Sequence, residues 1–300
     1  MPKTRGFRMV MLNVSSLVKH LDESRLMLLH KKLDVLAINE TRLDSTISDG
    51  LANIDGYNVL RADRNRNGGG VCIYIRCQVN YTPRPDLVAT DFNAVCVKIN
   101  QANSQSFIIV SIYILPCSTS EVFKKIKELI KLIDDESKEL YIFGHLNCNM
   151  LQLNLSTTKW LQEIMELYQL TQLIDSPTRI TNSSQSLLDV AITSTPEKII
   201  SSGVVHLGRS DHSLIYAVRI LNTRVNTKEQ GHNFVEFRNF ENFDAARFLD
   251  DLHDVPWEDI RYKRNKDDMW KLWKTYFLGV LDKRAPKKVK KPIFLGQTLM

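Results

Sequence analysis

No apolar run in the sequence approaches the roughly 18 residues of a membrane-spanning helix, so a transmembrane segment is not expected. The first residues, Met1-Pro2-Lys3-Thr4-Arg5-Gly6, are basic, but the apolar stretch after them is too short for a secretory signal. Cysteine is sparse: Cys72, Cys77, Cys96, Cys117 and Cys148, with no CxxC pair and no histidines at zinc-site intervals. That excludes a structural zinc ribbon. An odd number of thiols in a chain of 300 residues fits reduced, mostly buried side chains better than a disulfide framework. No segment repeats, which excludes solenoids. The expectation from these absences is an intracellular protein without membrane contact.

What is present is ordinary for a globular chain: 43% hydrophobic and 25% charged residues, enough for one large α/β domain with some chain left over. The formal net charge of +6 and a pI of about 9.0 suit a polyanionic partner.

Short apolar runs recur along the first two thirds. Phe7–Asn13, Asp34–Asn39, Gly56–Leu60, Val71–Ile75, Val95–Ile99, Phe107–Tyr113, Leu140–Phe143, Leu187–Ile192, Gly203–Leu207 and Leu214–Ile220 read as strands. Leu17–Leu33 has leucines at helical spacing (Leu21, Leu26, Leu29, Leu33). Ser120–Asp134 places Val122, Ile126, Leu129, Ile130 and Ile133 on one face, and Lys159–Tyr168 is a third helix. Many strands lying close in sequence, with few helices between them, predict two packed sheets with helices outside.

The character changes near residue 222. Asn222–Gly231 is polar and linker-like, and the following segment is rich in aromatics and charge. Asp267–Leu281 has helical periodicity. Lys283–Pro292 carries six basic residues and no acid. We expect domains at 1–221 and 222–300, the second a helical, basic appendage.

Isolated polar residues stand at the ends of the strand-like runs. Asn13 follows Leu12, and Glu40 follows Val35–Asn39. Tyr113 ends its run, Asn147 follows Gly144, and Ser210-Asp211-His212-Ser213 opens the last one. Asp189 sits inside an apolar run and needs a partner, for which His212 is the candidate; a carboxylate fixes an imidazole's tautomer and raises its basicity. A glutamate with an amide oxygen suits Mg²⁺ or Mn²⁺, which keep several waters. Arg61 and Arg64, before Gly68-Gly69-Gly70, form either a plain turn or a basic loop near phosphates. Together these residues point to metal-assisted phosphodiester chemistry.

In this order the residues resemble the endonuclease/exonuclease/phosphatase superfamily over roughly residues 7–221, nearest the apurinic-type endonuclease domain of non-LTR (LINE-type) retrotransposon polyproteins. Val280–Pro286 is similar to the linker ahead of reverse transcriptase in those polyproteins, although the chain runs only to Met300 and no polymerase is expected in it. The resemblance implies a four-layer α/β sandwich of two mixed sheets flanked by helices. It also implies a Mg²⁺-dependent phosphodiesterase in which Glu40 binds the metal, with Asn13 beside it and Asp211 near. Tyr113 and His212 would contact phosphate oxygens, Asp189 would orient His212, and Asn147 would position the phosphate or the water. The family's Gly-Asp-Phe-Asn is here Gly144-His145-Leu146-Asn147, so His145 replaces the carboxylate that activates water; reduced cleavage is expected. DNA is the expected partner, met by Arg61, Arg64, Lys287, Lys288, Lys290 and Lys291. No small-molecule cofactor is expected, and the chain should act as a monomer in the nucleus. The alternatives are a catalytically dead nucleic-acid-binding remnant and a phosphatase of the same fold.

Overall fold

The computed structural model describes residues 5–101, 105–116, 118–181, 183–207, 211–221, 235–238, 240, 243–263 and 265–290; the side chains at 29–31, 235–237 and 288–290 are outside the description. The chain divides into two units, Met1–Thr223 and Arg224–Met300.

The first unit contains two six-stranded mixed sheets. Sheet one holds β1 (Phe7–Asn13), β2 (Val35–Asn39), β3 (Tyr57–Ala62), β4 (Val71–Arg76), β13 (Ile199–Val205) and β14 (Leu214–Arg219), in the order β13-β14-β1-β2-β4-β3. Sheet two holds β5 (Tyr81–Pro83), β6 (Ala94–Ile99), β7 (Phe107–Tyr113), β8 (Glu139–His145), β9 (Thr171–Gln172) and β12 (Asp189–Thr193), in the order β5-β6-β7-β8-β12-β9. A two-residue ribbon, β10 (Arg179–Ile180) with β11 (Gln185–Ser186), stands apart.

Both faces of the central strands are covered, which is why they read as continuous apolar runs rather than alternating ones. Met9 and Met11 of β1 join Val35, Ala37, Phe107 and Ile109 in the core between the sheets. Val10 and Leu12 point the other way and pack with Leu17, Leu21 and Leu28 beneath α1 (Leu21–Lys31). After the short α2 (Asp49–Ala52), helices α3 (Ser120–Asp135) and α4 (Ser156–Leu167) cover sheet two. α3 buries Phe123, Ile126, Leu129, Ile130 and Ile133 at helical spacing.

The leucine spacing in α1 is misleading. Leu21 and Leu28 are buried with Ser24 between them, whereas Leu26 is 55% exposed; the Leu29 side chain lies outside the description. The inward row is i, i+3, i+7, with a serine in place of an apolar residue. Ser24 tolerates burial because its hydroxyl donates to the His20 carbonyl. β13 also departs from expectation: it begins at Ile199, not Gly203, because an edge strand needs no apolar run and Ser201-Ser202-Gly203 can serve.

One end of the sandwich is closed by charge. Arg219, the last residue of β14, is fully buried and grips Glu139 with Nη2–Oε2 at 2.7 Å and Nε–Oε2 at 2.9 Å. Its guanidinium lies 4.5 Å from the centre of the Phe107 ring. Lys198 pairs with the same carboxylate, and the Tyr141 hydroxyl donates to it.

The second unit contains β15 (Val235–Arg238), α5 (Ala245–His253), α6 (Lys266–Arg284) and β16 (Lys287–Lys290). Asp244 and Asn265 cap the two helices through their side chains, and Asp251 of α5 pairs with Lys283 and Arg284 of α6. The basic run after α6 is not an open tail: Lys287–Lys290 pairs antiparallel with Val235–Arg238. Nothing in its lysines announces a strand; the ladder with β15 makes it one. Among the described residues no helix is long and apolar enough to cross a membrane.

Candidate active site at the sandwich rim

The topology gathers distant strand ends at one edge. β1 and β2 run parallel, so Asn13 lies beside Asn39 and next to Glu40. β7 and β8 run parallel, so Tyr113 lies beside His145. β12 is antiparallel to β8, so its first residue, Asp189, faces His145. β14 is antiparallel to β1, which brings the segment ahead of it, with Asp211 and His212, to the same end. The buried Asn39 amide ties the sheets together here, donating to the Ile112 carbonyl at 2.9 Å.

Asp189 is the centre of the site. It is 0% exposed, and its two oxygens take different imidazoles: His145 Nδ1 at 2.8 Å and His212 Nδ1 at 3.0 Å. A carboxylate can only accept, so both rings present Nδ1–H to it. Burial works against the Asp189 charge, but the hydrogen bonds from His145 and His212 overcome it and hold the carboxyl well below its usual range. Burial likewise works against charge on His212, yet its hydrogen bond to Asp189 and the nearby Asp211 leave its imidazole more basic than usual. His145 is 2% exposed, stacked on Tyr113 at 5.8 Å and edge-on to His212 at 5.0 Å. The Tyr113 phenol is pushed up by burial and by the charge of Glu40, which places that carboxylate in the same neighbourhood.

The Glu40 carboxylate accepts from Asn13 Nδ2 at 2.9 Å and from Arg42 at 3.3 Å. Asn13 turns its oxygen to the Ser15 amide at 3.2 Å. Asn13 thus holds Glu40 in place at the rim. Glu40 sits in the left-handed backbone region, as do Arg42 and Asn147. For Glu and Arg this conformation is costly and must be held by surrounding contacts. The glycine triplet supplies them: the Thr41 and Arg42 amides donate to the Gly70 and Gly69 carbonyls. A β-carbon on Gly70 would meet Thr41 Oγ1 at 2.4 Å, and its φ is +82°. Gly70→Ala is expected to cost on the order of 1–3 kcal/mol and to displace Glu40; thermal melts and metal binding measured together check this.

Asp211 pairs with Arg179 at 2.8 Å, and Asn147 donates to the Ile114 carbonyl at 2.7 Å. Arg64 is exposed, donates to the Gly68 carbonyl, and has no carboxylate partner among the described residues. Arg61 is different. Asp49, Asp63 and the Ile47 carbonyl occupy its guanidinium, and its side chain is 10% exposed, so it is a structural residue and not a surface for phosphate. Lys287, Lys288 and Lys290 belong to β16 in the second unit; Lys291 lies outside the described residues.

Three further residues of the rim escape a reading of the sequence. Thr178 is fully buried; its hydroxyl accepts from the Leu188 and Asp189 amides and its carbonyl accepts from the Ser213 amide, so it links the two strands of the dyad. Asn39 and Arg42 are the others. None carries a signal beyond its position near a strand end.

The endonuclease/exonuclease/phosphatase family profile matches residues 8–212. The chain belongs to this family. Among solved structures, the endonuclease domain of TRAS1, a telomere-specific non-LTR retrotransposon, is 18% identical over 72% of this chain and 100% of its own, with a TM-score of 0.59. The AP endonuclease LMAP from Leishmania major is 13% identical over 74% of this chain and 90% of its own, with a TM-score of 0.62. The 3′ phosphatase NExo from Neisseria, solved as a variant bound to product DNA hairpin, is 16% identical over 72% of this chain and 100% of its own, with a TM-score of 0.55. A comparison with curated protein sequences finds no match. The family's sandwich therefore frames the rim.

Proposed function

We propose that the family domain is a Mg²⁺- or Mn²⁺-assisted DNA phosphodiesterase of retrotransposon origin, slowed by His145. The observation that carries the reading is His212 held by fully buried Asp189, with Tyr113 stacked on His145 beside them. The donor set fits a hard cation: Glu40 offers an anionic oxygen at a partly open rim, and Mg²⁺ commonly takes one or two carboxylates plus waters and phosphate oxygens. When bound there, the ion would neutralise phosphate charge. Asp211, paired with Arg179, contributes negative potential nearby. His212, made basic by Asp189, donates to a phosphate oxygen and stabilises the charge that grows during in-line attack. The Tyr113 hydroxyl and Asn147 position the phosphate. His145 Nδ1 is committed to Asp189, so water activation falls to its other nitrogen, a weaker arrangement than a free carboxylate.

Supercoiled-plasmid nicking tests the reading. Slow nicking that needs Mg²⁺ or Mn²⁺, stops with EDTA and is lost in Glu40→Gln supports it; nicking indifferent to both defeats it. Faster turnover of a phosphate monoester or a phosphoinositide would favour a phosphatase instead. The nuclear location and monomeric state are parts of the proposal, checked by imaging and sedimentation.

A second reading, nucleic-acid binding without cleavage, draws on the lysines of β16. Replacing Lys287, Lys288, Lys290 and Lys291 by alanine should weaken DNA binding. It should also flatten the dependence of log affinity on log salt by about 0.9 for every phosphate no longer neutralised. An unchanged slope in fluorescence anisotropy removes the ribbon from the interface.

A further inference from the structure

We infer that α6 presents a stacking platform for unpaired nucleobases, and that the second unit binds single-stranded nucleic acid there. The helix carries Trp270, Trp273 and Phe277 at i, i+3, i+7 spacing, so the three rings share one stripe. Trp270 and Trp273 are parallel within 10° at 5.1 Å, and Trp273 and Phe277 within 9° at 5.0 Å. The inner end of this ladder is fixed: Phe277 meets the Phe248 ring of α5 edge-on at 5.9 Å, and Phe248 packs on Phe243. The outer end is open. Trp270 is 54% exposed and Trp273 36%, and among the described residues no ring lies on the far side of Trp270. Two adjoining exposed indoles form an apolar patch of the kind that marks a binding surface.

Charge selects the partner. Lys266 and Lys274 lie one turn to either side of Trp270, and Lys271 follows it. All three are exposed, and among the described residues none has a carboxylate partner. Asp267 and Asp268 are confined to the first turn, where Asn265 engages Asp268, and no further acid occurs in α6 before Asp282. Exposed rings interleaved with unpaired cations suit a strand that offers its bases to the rings and its phosphates to the ammonium groups. A duplex hides its base faces against one another, so unpaired bases are the better fit. An apolar protein partner would leave the lysines without counter-charges. Every base has a π-face, so little sequence preference is expected. α6 lies outside the residues matched to the family, and the platform does not depend on cleavage at the rim.

Titration of the full chain with a short oligothymidylate in EDTA tests this without turnover. Tryptophan fluorescence should be quenched, with an affinity that falls as salt rises. Trp270→Ala should weaken binding by about 5–150-fold, the worth of one base stack, while Trp270→Phe, which keeps a ring, should lose much less. Annealing the strand to its complement should reduce the quench sharply, and inorganic polyphosphate, which has charge but no bases, should not quench. Glu40→Gln should leave the quench intact. No quench, one unchanged in Trp270→Ala, one lost in Glu40→Gln, or one matched by the duplex or by polyphosphate each overturns the platform. So does a dimer in sedimentation that Trp270→Ala dissolves, which assigns the face to a second copy of the chain. Should circular dichroism show Trp270→Ala unfolded, the unmodified chain decides: the oligonucleotide must protect Trp270 from N-bromosuccinimide oxidation mapped by mass spectrometry, and an unprotected Trp270 refutes the assignment. Failure of Mg²⁺-dependent nicking with the quench present would remove the proposed function and leave this surface standing.

Discussion

His145→Asp should speed plasmid nicking in Mg²⁺ by about 10²–10⁴-fold, the usual worth of a positioned general base. The change also returns Asp189 to one partner: its Oδ1, now 2.8 Å from the His145 ring, loses a donor, and both oxygens become available to His212. A new carboxylate close to a fully buried one is repulsive until a cation or a proton intervenes. The faster variant should therefore be the less stable one without metal, by about 1–3 kcal/mol, and regain part of that when Mg²⁺ is added. Nicking rates and metal-dependent melts on the same preparation check both halves. An unmodified chain that already nicks as fast as the variant shows that His145 is a competent base and that the slowing has been misattributed.

Glu139→Gln should be the most destabilising single change at the closed end of the sandwich. It leaves Arg219, fully buried on the Phe107 ring, without its anion. Breaking a buried pair from one side costs about 3–5 kcal/mol, or roughly 6–20 °C in melting temperature for a domain of this size. The pH dependence has a fixed sign. Burial opposes the Glu139 charge, but hydrogen bonds from Lys198 and Arg219 prevail and lower its pKa from 4.5. The stabilisation is therefore complete above pH 4.5 and lost as pH falls through the lower folded value. In Glu139→Gln this acid-side slope should shrink. Glu139→Leu with Arg219→Met should recover most of the loss, since an apolar pair of similar volume often replaces a buried ion pair without penalty. A double variant as unstable as the single would mean that packing around Phe107, rather than charge, sets the cost.

How much is legible in the sequence follows from what each signal measures. Strands covered on both faces are nearly pure apolar runs, and β1, β2, β4, β7 and β8 can be read directly. β13, half exposed at an edge, and β16, four residues with three lysines, carry no such pattern because backbone pairing alone defines them. The rim residues stand out because a polar side chain at the end of a buried strand is expensive without a purpose. Their pairing is another matter. The sequence ties Asp189 to His212; that His145 claims the other oxygen depends on β8 and β12 lying in register, which only the folded chain reveals. Arg61 reads as a free cation in a basic turn until Asp49 and Asp63 are seen around it.

Glu40 and His212 are carried by one sheet, and Tyr113, His145 and Asp189 by the other. Two hydrogen bonds, Asn39 to Ile112 and His212 to Asp189, cross between the sheets at that edge. The spacing of the two β-layers thus sets how these side chains meet at the rim. Trimming a side chain in the core that Met11 and Ile109 share would let the layers settle closer, so the alignment of the two halves of the rim should register interior repacking.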